Sequence, residues 1–104
     1  MEINFDKKYL RDLYVTGEAD KKHRFQPQII RKYICIIDLM IEKVDVTTLA
    51  QYKSLNYEKL KGDKAGLSSV RVNDQYRIEF EERIKDGEII ATICNITELS
   101  NHYK

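Results

Sequence analysis

The sequence has few of the residues that build covalent or metal-based scaffolds. Its 104 residues include two cysteines, two histidines and one proline, and no tryptophan. Cys35 and Cys94 lie far apart, and the histidines lie near opposite ends of the chain, so the paired spacing of a metal site is missing. We therefore expect two buried thiols and no bound metal or other cofactor. A disulfide scaffold is excluded.

Long apolar runs are missing as well. The longest, residues 34–37, ends at Asp38, so the sequence predicts no membrane-spanning helix and no membrane partner. The first residues show no basic segment followed by an apolar one, so we expect no export signal and a cytoplasmic location. The length and a hydrophobic fraction of 42% predict one domain over residues 1–104 with its own core.

An excess of charge of one sign is also absent, because the net charge is +1. This value argues against strong non-specific binding of nucleic acid by the whole molecule. The distribution is uneven, however: residues 53–77 hold six Lys or Arg against three acidic residues, and residues 78–104 reverse this ratio. A local positive field can hold phosphates, but an ordinary solvated surface has the same composition.

The first half of the chain has the pattern of a strand followed by helices. Residues 2–5 alternate in polarity, and a helix over residues 7–16 is predicted with Asp6 as its N-cap and Gly17 as its end. Residues 17–26 are polar and predict a loop. Pro27 suits the start of a second helix, and residues 47–52 predict a short third one. The expected core stripe of the second helix is formed by Ile30, Ile34, Ile37, Ile41 and Val44, widened by Ile29, Tyr33, Ile36 and Met40.

The second half has the two-residue period of strands. Residues 68–72 and 76–81 predict a β-hairpin, and Asp86-Gly87 predicts a turn into a central strand over residues 89–96. We therefore predict an α+β fold in which N-terminal helices pack on one face of a small antiparallel β-sheet.

The hydrophobic pattern also predicts the register of the hairpin. A three-residue loop over residues 73–75 sets Val70 opposite Ile78 and Arg71 opposite Arg77, which keeps charge out of the core. Both arginines then lie on the face away from the helices. Because directly opposed like charges are destabilising, we expect an anion between them.

The residues available for chemistry suit the cleavage of RNA. Residues 61–66 contain two glycines but lack the Gly-Lys-Ser/Thr ending of a phosphate-binding loop, and no nucleophile elbow surrounds Ser68 or Ser69. RNA carries its own nucleophile, the ribose 2′-OH, so an enzyme has only to supply a base, an acid and a cationic clamp. The candidates for these roles are Glu58, Lys59, Lys61, Arg71, Arg77, His102 and Tyr103.

Three segments in this region form a recognisable series. They are residues 60–63 (Leu-Lys-Gly-Asp), residues 66–73 (Gly-Leu-Ser-Ser-Val-Arg-Val-Asn) and residues 76–80 (Tyr-Arg-Ile-Glu-Phe). The series resembles the RelE/ParE toxin superfamily, and in particular its HigB (plasmid killer protein) branch. The resemblance covers residues 50–104 by motif and the whole chain by length and element order, and it implies the RelE-like fold.

The resemblance implies a toxin of a type II toxin–antitoxin system that cuts mRNA in the ribosomal A site without a metal. Arg77 matches the strand arginine that contacts the scissile phosphate. Glu58 resembles the proposed general base of YoeB-type toxins, and His102-Tyr103 resembles their C-terminal His-Tyr pair, in which the histidine is the acid. Lys59, Lys61, Lys64 and Arg71 are then expected to hold RNA phosphates.

Several alternatives stay open from the sequence. HigB members often carry a histidine where Glu58 stands and end in Asp-Tyr-His, so Glu98 is a second candidate for the base. Arg77 has a purely structural reading, as a strand arginine paired with Glu79 or Glu58. The whole protein has two other readings, a ParE-like gyrase inhibitor and an inactive module that binds RNA or an antitoxin. The expected partners are a helix-turn-helix (HigA-like) antitoxin and the ribosome.

Overall fold

The computed structural model describes residues 1–101, which form a five-stranded sheet with three helices. His102 and Tyr103 lie outside the described residues. The elements in chain order are β1 (Glu2–Phe5), α1 (Lys8–Thr16), α2 (Pro27–Glu42), α3 (Val46–Ala50), β2 (Glu58–Lys59), β3 (Ser68–Arg71), β4 (Arg77–Arg83) and β5 (Ile93–Ser100), with 3-10 turns at Lys53–Leu55 and Gly62–Lys64. The predicted α+β class is confirmed.

The strand order is β1-β5-β4-β3-β2, and the sheet is mixed. All neighbouring strands are antiparallel except β1 and β5, which are parallel. The prediction of a purely antiparallel sheet is therefore wrong at this edge. A parallel pair needs a long crossover, and the helices between β1 and the rest of the sheet provide one.

The central position of β5 is confirmed, but its predicted start is wrong. β4 ends at Arg83, which pairs with Ile93, so β5 begins four residues later than expected. The carbonyls of Ala91 and Thr92 instead accept hydrogen bonds from the backbone of Val46 and Glu2. Residues 84–92 form a loop in which Ile89 is 90% exposed.

The core stripe of α2 is rotated from the predicted one. The fully buried residues on this helix are Ile29, Tyr33, Ile36, Ile37 and Met40, whereas Ile41 is exposed and Val44 lies beyond the helix and is exposed. The phenol of Tyr33 donates to the carbonyl of Leu10 on α1 (2.8 Å), which satisfies its hydroxyl inside the core. Periodicity predicted the helix, but it did not define which side of the wide stripe the sheet covers.

Two helix starts also differ from the prediction. α1 begins at Lys8, and its N-cap residue is Lys7, without a side-chain capping bond, so Asp6 does not cap it. The predicted end at Gly17 is confirmed, because this glycine has φ 72° and closes the helix. α3 begins at Val46, where Asp45 accepts a hydrogen bond from the backbone of Thr48 (2.8 Å).

The predicted hairpin register is confirmed, with Val70 opposite Ile78 and Arg71 opposite Arg77. The loop contains no glycine. The side chain of Asn73 stabilises it instead, since its carbonyl oxygen accepts from the backbone N–H groups of Gln75 (2.9 Å) and Tyr76 (2.8 Å).

Both cysteines are free, and only Cys94 is buried, so the prediction of a buried Cys35 is wrong. Cys35 lies on the side of α2 that faces away from the sheet. Within residues 1–101, no helix combines the length and the apolar character that crossing a membrane requires.

Candidate functional site

The face of the sheet opposite the helices carries two rows of polar residues. Because Val70, Ile78 and Leu99 point into the core, their strand neighbours point to the other face. The register sets these neighbours side by side: Ser69, Glu79 and Glu98 in one row, and Arg71, Arg77 and Ser100 in the next. We call this side of the sheet the polar face, and four of its six residues are buried: Ser69, Arg77, Glu79 and Ser100.

Arg77 is held rigidly at the centre of the polar face. Only 5% of the residue is exposed. Its Nε donates to Ser69 Oγ (2.8 Å), and its Nη2 donates to the carbonyl of Asn56. Nη2 also lies 3.7 Å from Glu58 Oε1, a long ion-pair distance. Neutral acceptors therefore hold Nε and Nη2 of the guanidinium, and the carboxylate of Glu58 lies near Nη2.

Asn56 provides the local backbone that makes these contacts. It follows the 3-10 turn Lys53–Leu55 and adopts the left-handed conformation, with φ 44°. Asparagine tolerates this region better than most residues. The side-chain amide of Asn56 donates to Glu58 Oε1 (3.3 Å), so one residue contacts both Arg77 and Glu58.

Arg71 and Arg77, between which we expect an anion, each lie near a carboxylate of the protein. The guanidinium of Arg71 pairs with Asp74 in the hairpin loop, three residues along the chain. Arg77 is near Glu58 instead. The two arginines therefore differ in exposure, because Arg77 is buried and Arg71 is not, and each lies near its own carboxylate.

The polar face also contains a buried ion pair that sequence reasoning missed. Glu79 is 1% exposed, and its Oε2 lies 2.6 Å from Lys64 Nζ. Lys64 was expected only to hold RNA, and Glu79 was considered only as a partner of Arg77. The alternation of β4, which sets Glu79 on the same face as Arg77, is the signal that could have identified it.

The other candidate residues are distributed over different surfaces. Glu58 is exposed at the edge strand β2, and Lys61 is exposed just before the 3-10 turn Gly62–Lys64. Lys59 lines a groove of about 720 Å³ on the helix side of the sheet, together with Tyr57 and Glu82. Lys59 is therefore separated from Arg77, whereas Glu58 and Arg77 lie together.

The groove contains the most strongly shifted tyrosine near the candidate site. Burial and a hydrogen bond to Glu82 raise the pKa of Tyr57 to about 12. Ser68 Oγ also donates to Glu82. Tyr57 therefore stays protonated at neutral pH and acts as a structural donor.

Glu98 is half-buried and lies beside Glu79 in the register. Ser100, two residues along, shares its face. His102 and Tyr103, which continue this segment, lie outside the described residues. Among residues 1–101, no three His, Cys, Asp or Glu side chains are grouped to hold a metal ion.

Comparison with known proteins identifies relatives over most of the chain. A family model described as "RelE-like toxin of type II toxin-antitoxin system HigB" matches residues 3–95. Toxin HigB-1 of Vibrio cholerae serotype O1 is 32% identical over 88 residues, which cover 78% of this chain and 83% of the relative.

Solved structures share the fold at lower identity. YafQ from E. coli strain BL21(DE3) superposes with a TM-score of 0.60 at 13% identity, covering 97% of this chain and 92% of that one. A YoeB/ParE toxin from Agrobacterium tumefaciens has a TM-score of 0.56 at 19% identity, covering 99% and 100%. In the heterotetrameric YoeB-YefM toxin-antitoxin complex from Staphylococcus aureus, the matching chain has a TM-score of 0.53 at 20% identity, covering 99% and 98%.

Proposed function

Because the chain belongs to the HigB-like family of RelE-like toxins of type II toxin–antitoxin systems, we propose that it is a ribosome-dependent endoribonuclease. In this proposal the protein enters the ribosomal A site, cuts the mRNA there without a metal and so stops translation. A cognate antitoxin is implied by the family, and we propose that it is of the helix-turn-helix, HigA-like type.

The observation that carries the proposal is the closeness of Arg77 and Glu58 on the polar face. Cleavage of RNA needs a cation that stabilises the phosphorane and a carboxylate that removes the 2′-OH proton. Arg77 Nη2 and Glu58 Oε1 lie 3.7 Å apart, and Glu58 is half-exposed, so an RNA backbone can reach its carboxylate from solvent. The Arg77 side chain is only 6% exposed, so the proposal requires that RNA binding uncovers the guanidinium. Lys61 and Arg71, on neighbouring segments, add positive charge for flanking phosphates.

The proposed reaction is an internal transfer. Glu58 accepts the proton of the 2′-OH while that oxygen attacks the adjacent phosphorus, and the P–O5′ bond breaks. His102 donates a proton to the departing 5′-oxygen, and Tyr103 stacks on a base. The products are a 2′,3′-cyclic phosphate and a 5′-hydroxyl end. Glu98, further along the polar face, is the alternative base.

The test is cleavage of mRNA on translating ribosomes by purified variants. We expect Glu58→Gln and His102→Gln each to lower the single-turnover cleavage rate by about 10²–10⁴-fold. Arg77→Lys keeps the charge but loses the fixed fork, and we expect a loss of about 10²-fold. Arg83→Ala changes an exposed arginine at the far end of β4 and is the matched control.

Each result discriminates between the readings. Full activity of both Glu58→Gln and His102→Gln would remove the site assignment, and a loss in Glu98→Gln with normal Glu58→Gln would transfer the base to Glu98. Intact mRNA together with inhibition of gyrase supercoiling would favour the ParE-like reading. Harmless expression without any antitoxin would favour a binding module.

A further inference from the structure

A second polar cavity lies beside the polar face, where β5 extends beyond β1. β1 pairs only with residues 93–96 of β5, so the last part of β5 is left open on that side. The cavity has a volume of about 300 Å³ and is bounded by α1, residues 22–25, Tyr76 and the end of β5. This volume is at the lower end of the range for small-ligand sites. We call it the loop pocket.

Three cations and one carboxylate line the loop pocket, namely Lys7, Lys22, Arg24 and Glu98, so its lining has a formal net charge of +2. Within residues 1–101, none of the three forms an ion pair with a carboxylate. Lys7 and Lys22 are exposed, so their charges are available to a ligand from solvent. The cavity therefore favours an anion.

Aromatic rings form the other walls. The rings of Tyr9 and His23 are stacked with their centroids 3.6 Å apart and their planes at 4°. On another wall, Phe25 meets Tyr76 edge to face, with the centroids 5.8 Å apart. A planar ligand can stack against such surfaces, and bases of single-stranded nucleic acid bind in this way regardless of sequence.

The loop that carries His23 is fixed in place. Asp20 Oδ1 accepts hydrogen bonds from the backbone of Lys22 (3.0 Å) and His23 (2.8 Å), and it lies 2.9 Å from His23 Nδ1. The side-chain interaction with His23 lowers the pKa of Asp20, as do the two backbone bonds. The aromatic wall is therefore preorganised before a ligand binds.

We propose that the loop pocket binds one nucleotide of RNA, with its phosphate held by Lys22 and Arg24 and its base placed against the aromatic walls. The inference rests on the proposed ribonuclease function and adds a substrate subsite to it. Glu98 lines the loop pocket and also lies on the polar face, opposite Glu79 in the register, so the pocket borders that face. A nucleotide near the one that is cut can therefore occupy the pocket while its strand lies on the polar face.

The first experiment measures binding, not cleavage. The probe is a fluorescein-labelled hexanucleotide of 2′-O-methyl RNA, which has no free 2′-hydroxyl and so resists the proposed reaction. We expect Lys22→Glu/Arg24→Glu to weaken binding on the order of tenfold or more, and to lower the slope of log affinity against log salt by about 0.7, because the contact with one phosphate is lost. Arg31→Glu/Lys32→Glu makes the same change of charge on the exposed side of α2 and should retain wild-type binding.

The aromatic wall is tested separately. His23→Phe keeps a ring against Tyr9 and should bind the probe within about twofold of the wild type, whereas His23→Ala should lose on the order of tenfold. Thermal unfolding of both variants checks that the loop variants are folded. Equal binding by His23→Ala and His23→Phe would contradict the stacking role.

A second measurement, cosedimentation with ribosomes that carry mRNA, distinguishes whether the bound nucleotide belongs to the mRNA or to ribosomal RNA. Weaker hexanucleotide binding by Lys22→Glu/Arg24→Glu assigns the pocket to the mRNA strand. Normal hexanucleotide binding with weaker ribosome binding assigns it to ribosomal RNA. If the variant matches Arg31→Glu/Lys32→Glu in both measurements, the inference is wrong. If the binding loss is found but the wild type cuts no mRNA, the subsite stands and the ribonuclease proposal falls.

Discussion

Glu79 and Lys64 form the ion pair on the polar face that is least accessible to water. Glu79 is 1% exposed, whereas 35% of the Lys64 side chain is exposed. The two side chains therefore differ in their access to solvent when the ion pair is broken. The ammonium of Lys64 can turn toward solvent, but the carboxylate of Glu79 stays buried, and removing a countercharge from a buried carboxylate is costly.

This asymmetry predicts unequal effects of two substitutions. We expect Lys64→Met to lower the free energy of unfolding by about 3 kcal/mol, because it removes the ammonium from a buried carboxylate. Glu79→Gln should cost less, since the amide still fits the site and Lys64 can be hydrated. Urea denaturation of the two variants and of the double variant measures the coupling.

Lys61→Met, which changes an exposed lysine in the same loop, is the control and should change the free energy of unfolding by no more than about 0.5 kcal/mol. Equal destabilisation by Lys64→Met and Lys61→Met would show that the pair contributes nothing. A larger loss in Glu79→Gln than in Lys64→Met would reverse the argument about solvent access.

At the scale of single residues, the sequence predicted on which face of the sheet a side chain lies better than it predicted which residues that side chain contacts. Alternation correctly set Arg77 and Arg71 side by side. It did not predict that Arg71 pairs with Asp74, or that Arg77 is buried against Ser69 and the backbone of Asn56, because those contacts depend on how loops fold back onto the sheet. Partners across a loop have no periodic signal in the chain.

Among the elements, α3 depends most on a single cap. The helix has five residues, too few for intrinsic helix stability. Asp45 Oδ1 accepts hydrogen bonds from the backbone of Thr48 (2.8 Å) and from the hydroxyls of Thr47 (2.7 Å) and Thr48 (2.9 Å). These bonds, led by the one from Thr47, lower the pKa of Asp45.

We expect Asp45→Ala to lower the Tm by about 4 °C or more at pH 7, because it removes the acceptor for the first turn of α3. The lowered pKa means that the carboxylate stabilises the fold above its ordinary pKa of 3.8. This contribution is lost as the pH falls through the folded-state pKa. The difference in Tm between the wild type and Asp45→Ala should therefore become smaller below pH 3.8. Thermal unfolding followed by circular dichroism measures both effects.

The matched control is Asp6→Ala, which changes the aspartate that precedes α1. The sequence predicts Asp6 as a cap, but the N-cap residue of α1 is Lys7 and makes no side-chain capping bond. Asp6→Ala should therefore shift the Tm by no more than about 1 °C. If the two variants lose the same stability, the capping argument is wrong for α3.

The sequence predicted the pairing of two strands correctly where both strands have buried residues that restrict the register. The hairpin of β3 and β4 has one register that keeps Val70 and Ile78 in the core, so its pairing was predictable. The start of β5 was not, because Ile89 and Ile90 look like strand residues, yet β4 has already ended and offers them no partner. Strand propensity does not define strand length.

For the whole molecule, the pairing of β1 with β5 joins the two ends of the chain. Glu2 pairs with Ile93 and Phe5 with Ile96, across nearly the entire sequence. The local patterns predicted both strands but contain no information on which strands become neighbours. The single core that results buries two acids fully, Tyr33 and Cys94, and burial raises the pKa of each.

These buried acids predict a loss of stability in alkali. Burial raises the pKa of Cys94 from 9.0 to about 12, and burial also raises the pKa of Tyr33 above its ordinary 10.0. Their neutral forms are favoured in the folded state, so the unfolded state releases protons first as the pH rises. Stability is fully present below pH 9 and should fall above it by about 1.4 kcal/mol per pH unit for Cys94, with a further loss above pH 10 for Tyr33.

Urea denaturation between pH 7 and 11 in the presence of a reductant tests this expectation, and two cysteine variants separate the causes. Cys94→Ala leaves a small cavity and so lowers the free energy of unfolding at every pH. It should also flatten the plot of this free energy against pH between pH 9 and 10, because no buried thiol remains to titrate there. Cys35→Ala removes the exposed thiol and should retain the wild-type slope. If Cys94→Ala retains that slope too, the loss above pH 9 originates in groups other than the buried thiol. A flat wild-type curve up to pH 11 would mean that the core admits charge far more easily than the burial of Cys94 and Tyr33 implies.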